Sequence, residues 1–450
     1  ATTFYVDQNH PQAADTNPGT IEKPLLTIEK ATNLVAPGDT VYVKTGNYPE
    51  TVLMKTAGTK EKKIVFVSLP RRAAKAYRFM ANREYIRIEG FELSNPGRGT
   101  GVYISVNNVE VVDNYIYNMD VGIRTGYTYL SNLYLAKNKI SHCQYGIILY
   151  GLHCIIEQNE IEGLYLYDKN SDVDYTRLFG EDIIFRCNYL HGTDLAATDP
   201  AHVDGIQTYD DNGEYLKRVI IENNIFLNFD QGFMGSAGNY LRSANLIFRN
   251  NIFAHGLAWG LCISNICSVE VINNTFVDIG YYGVGFCHAG ANNGKCLNNI
   301  FYQTGTSYTS IDGGSFVGDY NLIYGCSLPQ AGPHDLIGQD PLFVNFAQDD
   351  YHLQPNSPAI NKGTGVNFTF DLEGKQREYD GAVDIGAYEF GAPSNIDIFS
   401  NNFYQLNLRA LKKQPKIYFN LLGEPLISKP LYEGIYLNLS SNSIQKIINK

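Results

Sequence analysis

An asparagine recurs along the middle of this chain at nearly even steps, each followed one residue later by an apolar side chain. The positions are Asn114, Asn138, Asn159, Asn188, Asn224, Asn251, Asn274, Asn299 and Asn321, so the steps are 24, 21, 29, 36, 27, 23, 25 and 22. A short alternating stretch precedes each asparagine, such as Val109-Glu-Val-Val-Asp or Val219-Ile-Ile-Glu-Asn. Glycine beside an apolar residue recurs in step, as in Gly101-Val102, Gly122-Ile123, Gly146-Ile147, Gly205-Ile206, Gly232-Phe233, Gly260-Leu261 and Gly283-Val284. Few architectures accept such a pattern. A leucine-rich repeat has a similar length, but its spaced leucines are missing, and a propeller blade needs about 40 residues or more. One turn of a parallel β-helix fits: three short strands, an asparagine at a fixed corner, and turns stacked about 4.8 Å apart. Asparagine suits the corner because it tolerates left-handed backbone angles and its amide can bond to the asparagine of the next turn.

The expectation is therefore an all-β chain, a right-handed single-stranded parallel β-helix of about ten coils. Composition agrees, with 33 Tyr, 42 Gly and one Trp among 450 residues. A formal charge of −11 argues against a nucleic-acid partner. No apolar run approaches the ~18 residues of a membrane span. The eight cysteines form no CxxC pair, so buried thiols are expected rather than a zinc site. Cys262 and Cys287 each precede the next corner asparagine by twelve positions, which would make them near neighbours on adjacent coils.

Three segments follow. Residues 1–80 hold an N-terminal cap and the first coils, with Pro24 to Val35 reading as a short capping helix that ends before Pro37-Gly38. Residues 81–390 form the body and a closing section. Residues 391–450 begin with a Gly-Ala-Pro-Ser-Asn linker and carry seven Lys/Arg against three Asp/Glu, which suggests a small separate β-domain.

Both ends bear resemblances. The strand-helix-strand start resembles the N-terminal cap of secreted parallel β-helix proteins, many of them polysaccharide lyases and related carbohydrate-active enzymes. Asp340-Pro-Leu-Phe, Ser357-Pro-Ala-Ile-Asn-Lys-Gly and Asp384-Ile-Gly-Ala-Tyr-Glu resemble the closing section of the same proteins. The stretch from Lys416 through Gly434-Ile-Tyr to Lys450 resembles the C-terminal sorting domain of type IX secretion substrates in Bacteroidetes-like bacteria, though the usual Asn-Pro is absent. These resemblances imply a secreted or surface-attached bacterial protein acting on polysaccharide, with the tail as a route to attachment or self-association. An N-terminal Ala1-Thr-Thr-Phe fits a mature secreted product.

The two long steps, 29 and 36, are adjacent and point to the working face, because insertions in a solenoid gather on one side. Insertions are expected at Asp168–Glu181, His191–Val203 and Asp210–Lys217, rimming the strand Gly205-Ile-Gln-Thr-Tyr. Ile206 should face inward, so Gln207 and Tyr209 face the groove, in line with Tyr103 and Arg124 of earlier coils and Met234 of a later one. His202, Asp204, Lys217 and Arg124 are the expected catalytic residues. Tyr103, Tyr165, Arg177, Gln207 and Tyr209 are expected to hold the polymer.

Three chemistries fit these residues. β-Elimination from a uronic acid needs a neutralised carboxylate, a base at C5 and an acid at O4. The resemblance to secreted lyases implies Ca²⁺ for the first task, with Asp199, Asp204, Asp210 and Asp211 as ligands toward the six to eight oxygens or so that it takes. His202, Lys169, Lys217 or Arg124 would serve as base and Tyr209 as acid. Hydrolysis instead needs two carboxyl groups, for which Asp204 with Asp182 or Asp210 is available. Of the polygalacturonase pattern only Asp210-Asp211 is found. The third reading is a non-catalytic adhesin or filament subunit whose groove binds glycans.

Overall fold

A computed structural model describes residues 1–238 and 242–393, and beyond them four short strands, Tyr418–Phe419, Pro425–Leu426, Gly434–Ser440 and Ser443–Asn449, paired antiparallel. The linker and the sorting segment otherwise lie outside the described residues. The body is a parallel β-solenoid of about twelve turns, against the ten or so expected from the sequence. At about 4.8 Å per turn it extends roughly 55 Å. A typical turn contains Lys139–Ser141, Tyr145–Leu152 and Ile155–Glu157, each in register with its counterparts above and below. Among the described residues, no helix is long and apolar enough to cross a membrane.

The corner asparagines form one continuous buried ladder. The Asn114 amide donates to Asn138 Oδ1 at 3.1 Å, and the chain of bonds continues through Asn159, Asn188, Asn224, Asn251, Asn274 and Asn299 to Asn321. Each amide also donates to a backbone carbonyl, as Asn224 does to Phe185 and Asn251 to Ile221. The left-handed backbone falls one residue earlier than the sequence reading placed it. Asp113, Lys137, Gln158, Cys187, Asn223, Asn250, Asn273, Asn298 and Tyr320 all have φ between 53° and 63°. The ladder asparagine supplies hydrogen bonds, and its neighbour takes the strained turn.

Beside the ladder, Phe226, Phe253, Phe276 and Phe301 stack through the core with centroids 4.6, 5.2 and 5.0 Å apart. These rings explain the recurring glycine. A Cβ at Gly232 would meet Phe253 Cδ1 at 2.6 Å and the Gly260 carbonyl oxygen at the same distance. At the N-terminal end, helix Ile28–Leu34 starts at Thr27, whose side chain accepts from the Lys30 N–H, and adds Ile28 and Ala31 to the core.

Residues from Phe343 to Tyr388 do not continue the stack. Phe343, Tyr351, Leu353, Leu372 and Ile385 pack laterally on Ile225, Ile252, Val277, Ile300 and Leu322 as a second apolar cluster. Outer asparagines at the left-handed positions hold this strap. Asn223 donates to Asp371 O and Leu372 O, Asn250 to Phe370 O, Asn273 to Asp384 O and Gly386 O, and Asn298 to Thr364 O. The buried Arg377 links it further, reaching Asn250 Oδ1 at 2.6 Å and Glu389 at 3.3 Å.

All eight cysteines are free thiols. Cys262 lies opposite Gly285, and Cys287 lies opposite Ser264, so the two are near neighbours on adjacent turns, diagonal rather than level. The later turn is two residues longer between this strand and its corner, which misaligns a count taken from the following asparagine.

Candidate functional site

The ladder strands that precede the second corner carry outward columns along the axis. One runs Tyr103, Arg124, Ile148, Arg177, Gln207, Met234, Cys262 and Gly285. This agrees with the sequence expectation that Ile206 is buried while Gln207 and Tyr209 are partly exposed. A second column runs Val121, Tyr145, Asp174, Asp204, Gln231, Trp259 and Tyr282.

The walls differ in part from expectation. Residues 173–181 are not an insertion: they belong to one unbroken strand, Val173–Arg186. The insertion of that turn lies before it, at 163–172. Buried Gln144 holds this loop, accepting from the Tyr167 and Asp168 N–H groups and donating to the Asp168 and Asp172 carbonyls. The next loop, 192–202, carries the short helix Leu195–Thr198, begun by Asp194. The turn at 210–215 forms the opposite rim. Asp210 there is buried and accepts from the Gly238 N–H.

Asp174 and Asp204 are register partners on adjacent turns, about 4.8 Å apart at Cα. Both have 0% exposure. The side chain three residues on holds one oxygen of each: Arg177 Nε reaches Asp174 Oδ2 at 2.5 Å, and Gln207 Nε2 reaches Asp204 Oδ2 at 3.2 Å. The Oδ1 atoms have no hydrogen-bond partner. Burial raises the Asp174 carboxyl to about 6 against the pull of Arg177. Burial, then the neighbouring Asp174, Asp172 and Asp230, push Asp204 well above the usual carboxylate range. Two like charges this close in low dielectric cannot both ionise cheaply, so ionisation of one disfavours ionisation of the other.

An aromatic edge lies along the same strands. Tyr150 stacks on Phe179 at 4.5 Å, Phe179 meets Tyr209 at 4.8 Å, and Tyr127 and Tyr129 each meet Tyr150 at 5.6 Å. Tyr150 and Phe179 are buried, so Tyr127, Tyr129 and Tyr209 present the ring surface of this edge.

The structure therefore gathers Asp204, Arg177 and Gln207, with Tyr209 at the aromatic edge. Tyr103 and Arg124 sit on the same column, with Arg124 three turns from Gln207 and its guanidinium 5.6 Å from the Tyr127 ring centroid. His202 and Asp199 are exposed on the 192–202 loop, close enough to act on Asp230. Lys217 lies beyond the 210–215 turn on another face, opposite Glu181. Tyr165 is 53% exposed and packs on Tyr167.

The four expected calcium ligands do not converge. Asp204 and Asp210 are six residues apart along an extended strand, about 20 Å, and Asp199 and Asp211 are exposed on opposite rims. The residues present do not fit a Ca²⁺ cage there. Glu160, Glu162 and His191 do bring ligand atoms within 4.8 Å of one another on a different face. Lys139 already reaches those glutamates at 3.3 and 2.8 Å.

Sequence reasoning did not choose Asp174, Tyr150 or Phe179. The available signal was the spacing Asp174-x-x-Arg177 repeated one turn later as Asp204-x-x-Gln207.

A family model for right-handed beta helix regions matches residues 78–183. No curated protein matches the sequence. Among solved structures the chain is similar to pectate lyase Pel9A, with TM-score 0.50 and 18% identity over 86% of this chain and 96% of that one. It is also similar to the A-module of the mannuronan C-5 epimerase AlgE6 of Azotobacter vinelandii, with TM-score 0.51 and 13% identity over 69% of this chain and 92% of that one. These likenesses are of fold.

Proposed function

We propose that the protein is a carbohydrate-active enzyme that lays a polysaccharide along this groove and hydrolyses it, with Asp204 and Asp174 as the acting pair. The stacked carboxyls carry this reading. General acid catalysis needs a carboxyl that keeps its proton near neutrality, and its partner must ionise below that point. Asp204 has the stronger upward push, while Arg177 favours the ionised form of Asp174.

Asp204 gives its proton to the glycosidic oxygen as the bond to the anomeric carbon breaks. The Asp174 carboxylate attacks that carbon, and water later releases the sugar while Asp204 recovers its proton. A separation near one turn suits this two-step retaining route, whose carboxyls stand about 5–5.5 Å apart. Arg177 and Gln207 must turn from the carboxyls toward the substrate for the groups to meet. The exposed Tyr127 and the partly exposed Tyr209, backed by the buried Tyr150, would support sugar rings beside them. A polymeric substrate implies action outside the cell.

β-Elimination is the second reading, favoured by one observation. Arg124 makes no ion pair among the described residues, and its one hydrogen bond is to the Thr125 carbonyl, so it is available to a uronate. Incubation with neutral and uronic-acid polysaccharides separates the two. New reducing ends without ultraviolet-absorbing unsaturated ends mean hydrolysis; unsaturated ends mean elimination.

A further inference from the structure

Downstream of the walled section the ladder changes character. The two turns upstream of Gln231 place Asp174, Asp204 and Arg177 on the columns described above, and Arg124 lies beyond them. From Gln231 onward the same columns carry Gln231, Trp259 and Tyr282 beside Met234, Cys262 and Gly285, with no ionisable group other than the Cys262 thiol and the Tyr282 phenol. The charged and uncharged halves meet between Asp204 and Gln231.

Trp259, the single tryptophan of the chain, lies two turns from Asp204 in the same column, about 10 Å away. Its indole stacks on Tyr282 with centroids 4.5 Å apart and an interplanar angle of 28°. Both rings are half-buried. Gly285 leaves the space that the indole occupies, because a Cβ there would meet Trp259 Cζ3 at 2.4 Å. Leu257 and Tyr281, 57% and 64% exposed, come just before Trp259 and Tyr282 on the same two turns. The indole N–H donates to no acceptor among the described residues. A pyranose ring presents an apolar C–H face bordered by hydroxyls, which matches a flat aromatic shelf carrying one unused donor. Among the described residues, the two columns from Gln231 onward offer a uronate or sulfated unit no Lys, Arg or His.

We infer that the Trp259–Tyr282 shelf is a separate subsite for an uncharged sugar unit of the polymer whose cleavage occurs at Asp174 and Asp204. This inference rests on the groove reading above. It makes the substrate a chain that places a neutral unit two turns beyond the carboxyl pair, while Arg124 and Arg177 accept acidic or neutral units upstream.

The lone indole reports directly on its own site. The full chain is screened against cello-, xylo-, manno- and galacto-oligosaccharides and against oligogalacturonides and oligoalginates, and tryptophan emission is followed during titration. A bound glycan containing a neutral unit should shift or quench the emission. Trp259→Ala and Tyr282→Ala should each weaken binding about ten-fold, equivalent to about 1.4 kcal/mol, while Trp259→Phe keeps most of it. Circular dichroism melting of each variant confirms that the solenoid is intact. Binding that leaves emission unchanged and survives Trp259→Ala contradicts the subsite while leaving the groove reading standing. Trp259-dependent binding confined to purely uronic oligomers contradicts the neutral assignment. No binding to any probe contradicts both readings.

Discussion

Asp174 and Asp204 are register partners on adjacent turns, both fully buried, and each keeps one carboxyl oxygen without a hydrogen-bond partner. A purely structural carboxylate in the core would be expected to have both oxygens satisfied. Here the solenoid spends stability to hold two acids one turn apart.

That cost has a sign. Both carboxyls are raised in the folded state, so folding binds protons more tightly than the unfolded chain does. Stability from this pair is full below the ordinary carboxylate range and is lost as pH rises through about 6 for Asp174, and further still for Asp204. Asp204→Asn should therefore be as stable as the parent at about pH 4, near the ordinary Asp value, and more stable at pH 8. Thermal melts across that range check it; a variant that loses about 1–3 kcal/mol at both pH values would mark Asp204 as a structural group.

The same pair predicts the pH profile of activity. The rate should rise as Asp174 ionises near pH 6 and fall again only when Asp204 gives up its proton at higher pH. The two limbs belong to the coupled pair, so Asp174→Asn should remove the activity rather than move one limb.

The inner asparagine ladder should be among the most sensitive parts of the fold. Asn251 donates to Asn274 Oδ1 and Ile221 O, and its own Oδ1 accepts from Asn224. Asn251→Ala leaves several buried groups unpaired and should cost about 3 kcal/mol or more, measured by urea unfolding. Loss of less than about 1 kcal/mol would mean that water replaces the amide.

The strap should loosen separately from the solenoid. His255 reaches Asp278 at 3.1 Å and Asp349 of the strap at 2.7 Å, and these bonds raise its pKa despite burial. A raised histidine stabilises fully below its unfolded value of about 6.5 and loses that contribution as pH rises through the folded value. Hydrogen exchange within 343–390 should therefore quicken from pH 6 to 8 by more than the intrinsic rate, and Asn250→Ala should quicken it at every pH.

Calcium chelation should change neither melting temperature nor cleavage, since the four aspartates expected as its ligands, Asp199, Asp204, Asp210 and Asp211, are spread along the strand and across both rims. A chelator-sensitive activity would restore the metal reading.

Much of this was legible in the sequence, and the exceptions have physical causes. Nine asparagines fixed the period, and simple alternation placed Ile206 inward with Gln207 and Tyr209 outward. The alignment slipped where Tyr175 stands in the column otherwise held by Gly146 and Gly205: a buried ring replaces the marker, so Asp174 read as part of a loop. The outer asparagines were also visible, as Asn223-Asn224, Asn250-Asn251, Asn273-Asn274 and Asn298-Asn299. Their doubling marks the turns against which the strap docks, while earlier turns carry Asp113, Lys137 or Gln158 instead. Convergence of side chains on different turns depends on column and rotamer together. That is why the sequence singles out Asp204 without its register partner, and why Lys217, near in sequence, lies on another face.

The most direct test is the set of products released from a panel of polysaccharides by the parent, Asp204→Asn and Asp174→Asn, each first shown to melt as a folded protein. The account predicts new reducing ends with retained anomeric configuration from the parent, no unsaturated ends, and a loss of at least about a thousand-fold in either variant. Unsaturated ends, or an Asp204→Asn protein that cleaves as fast as the parent, would contradict it.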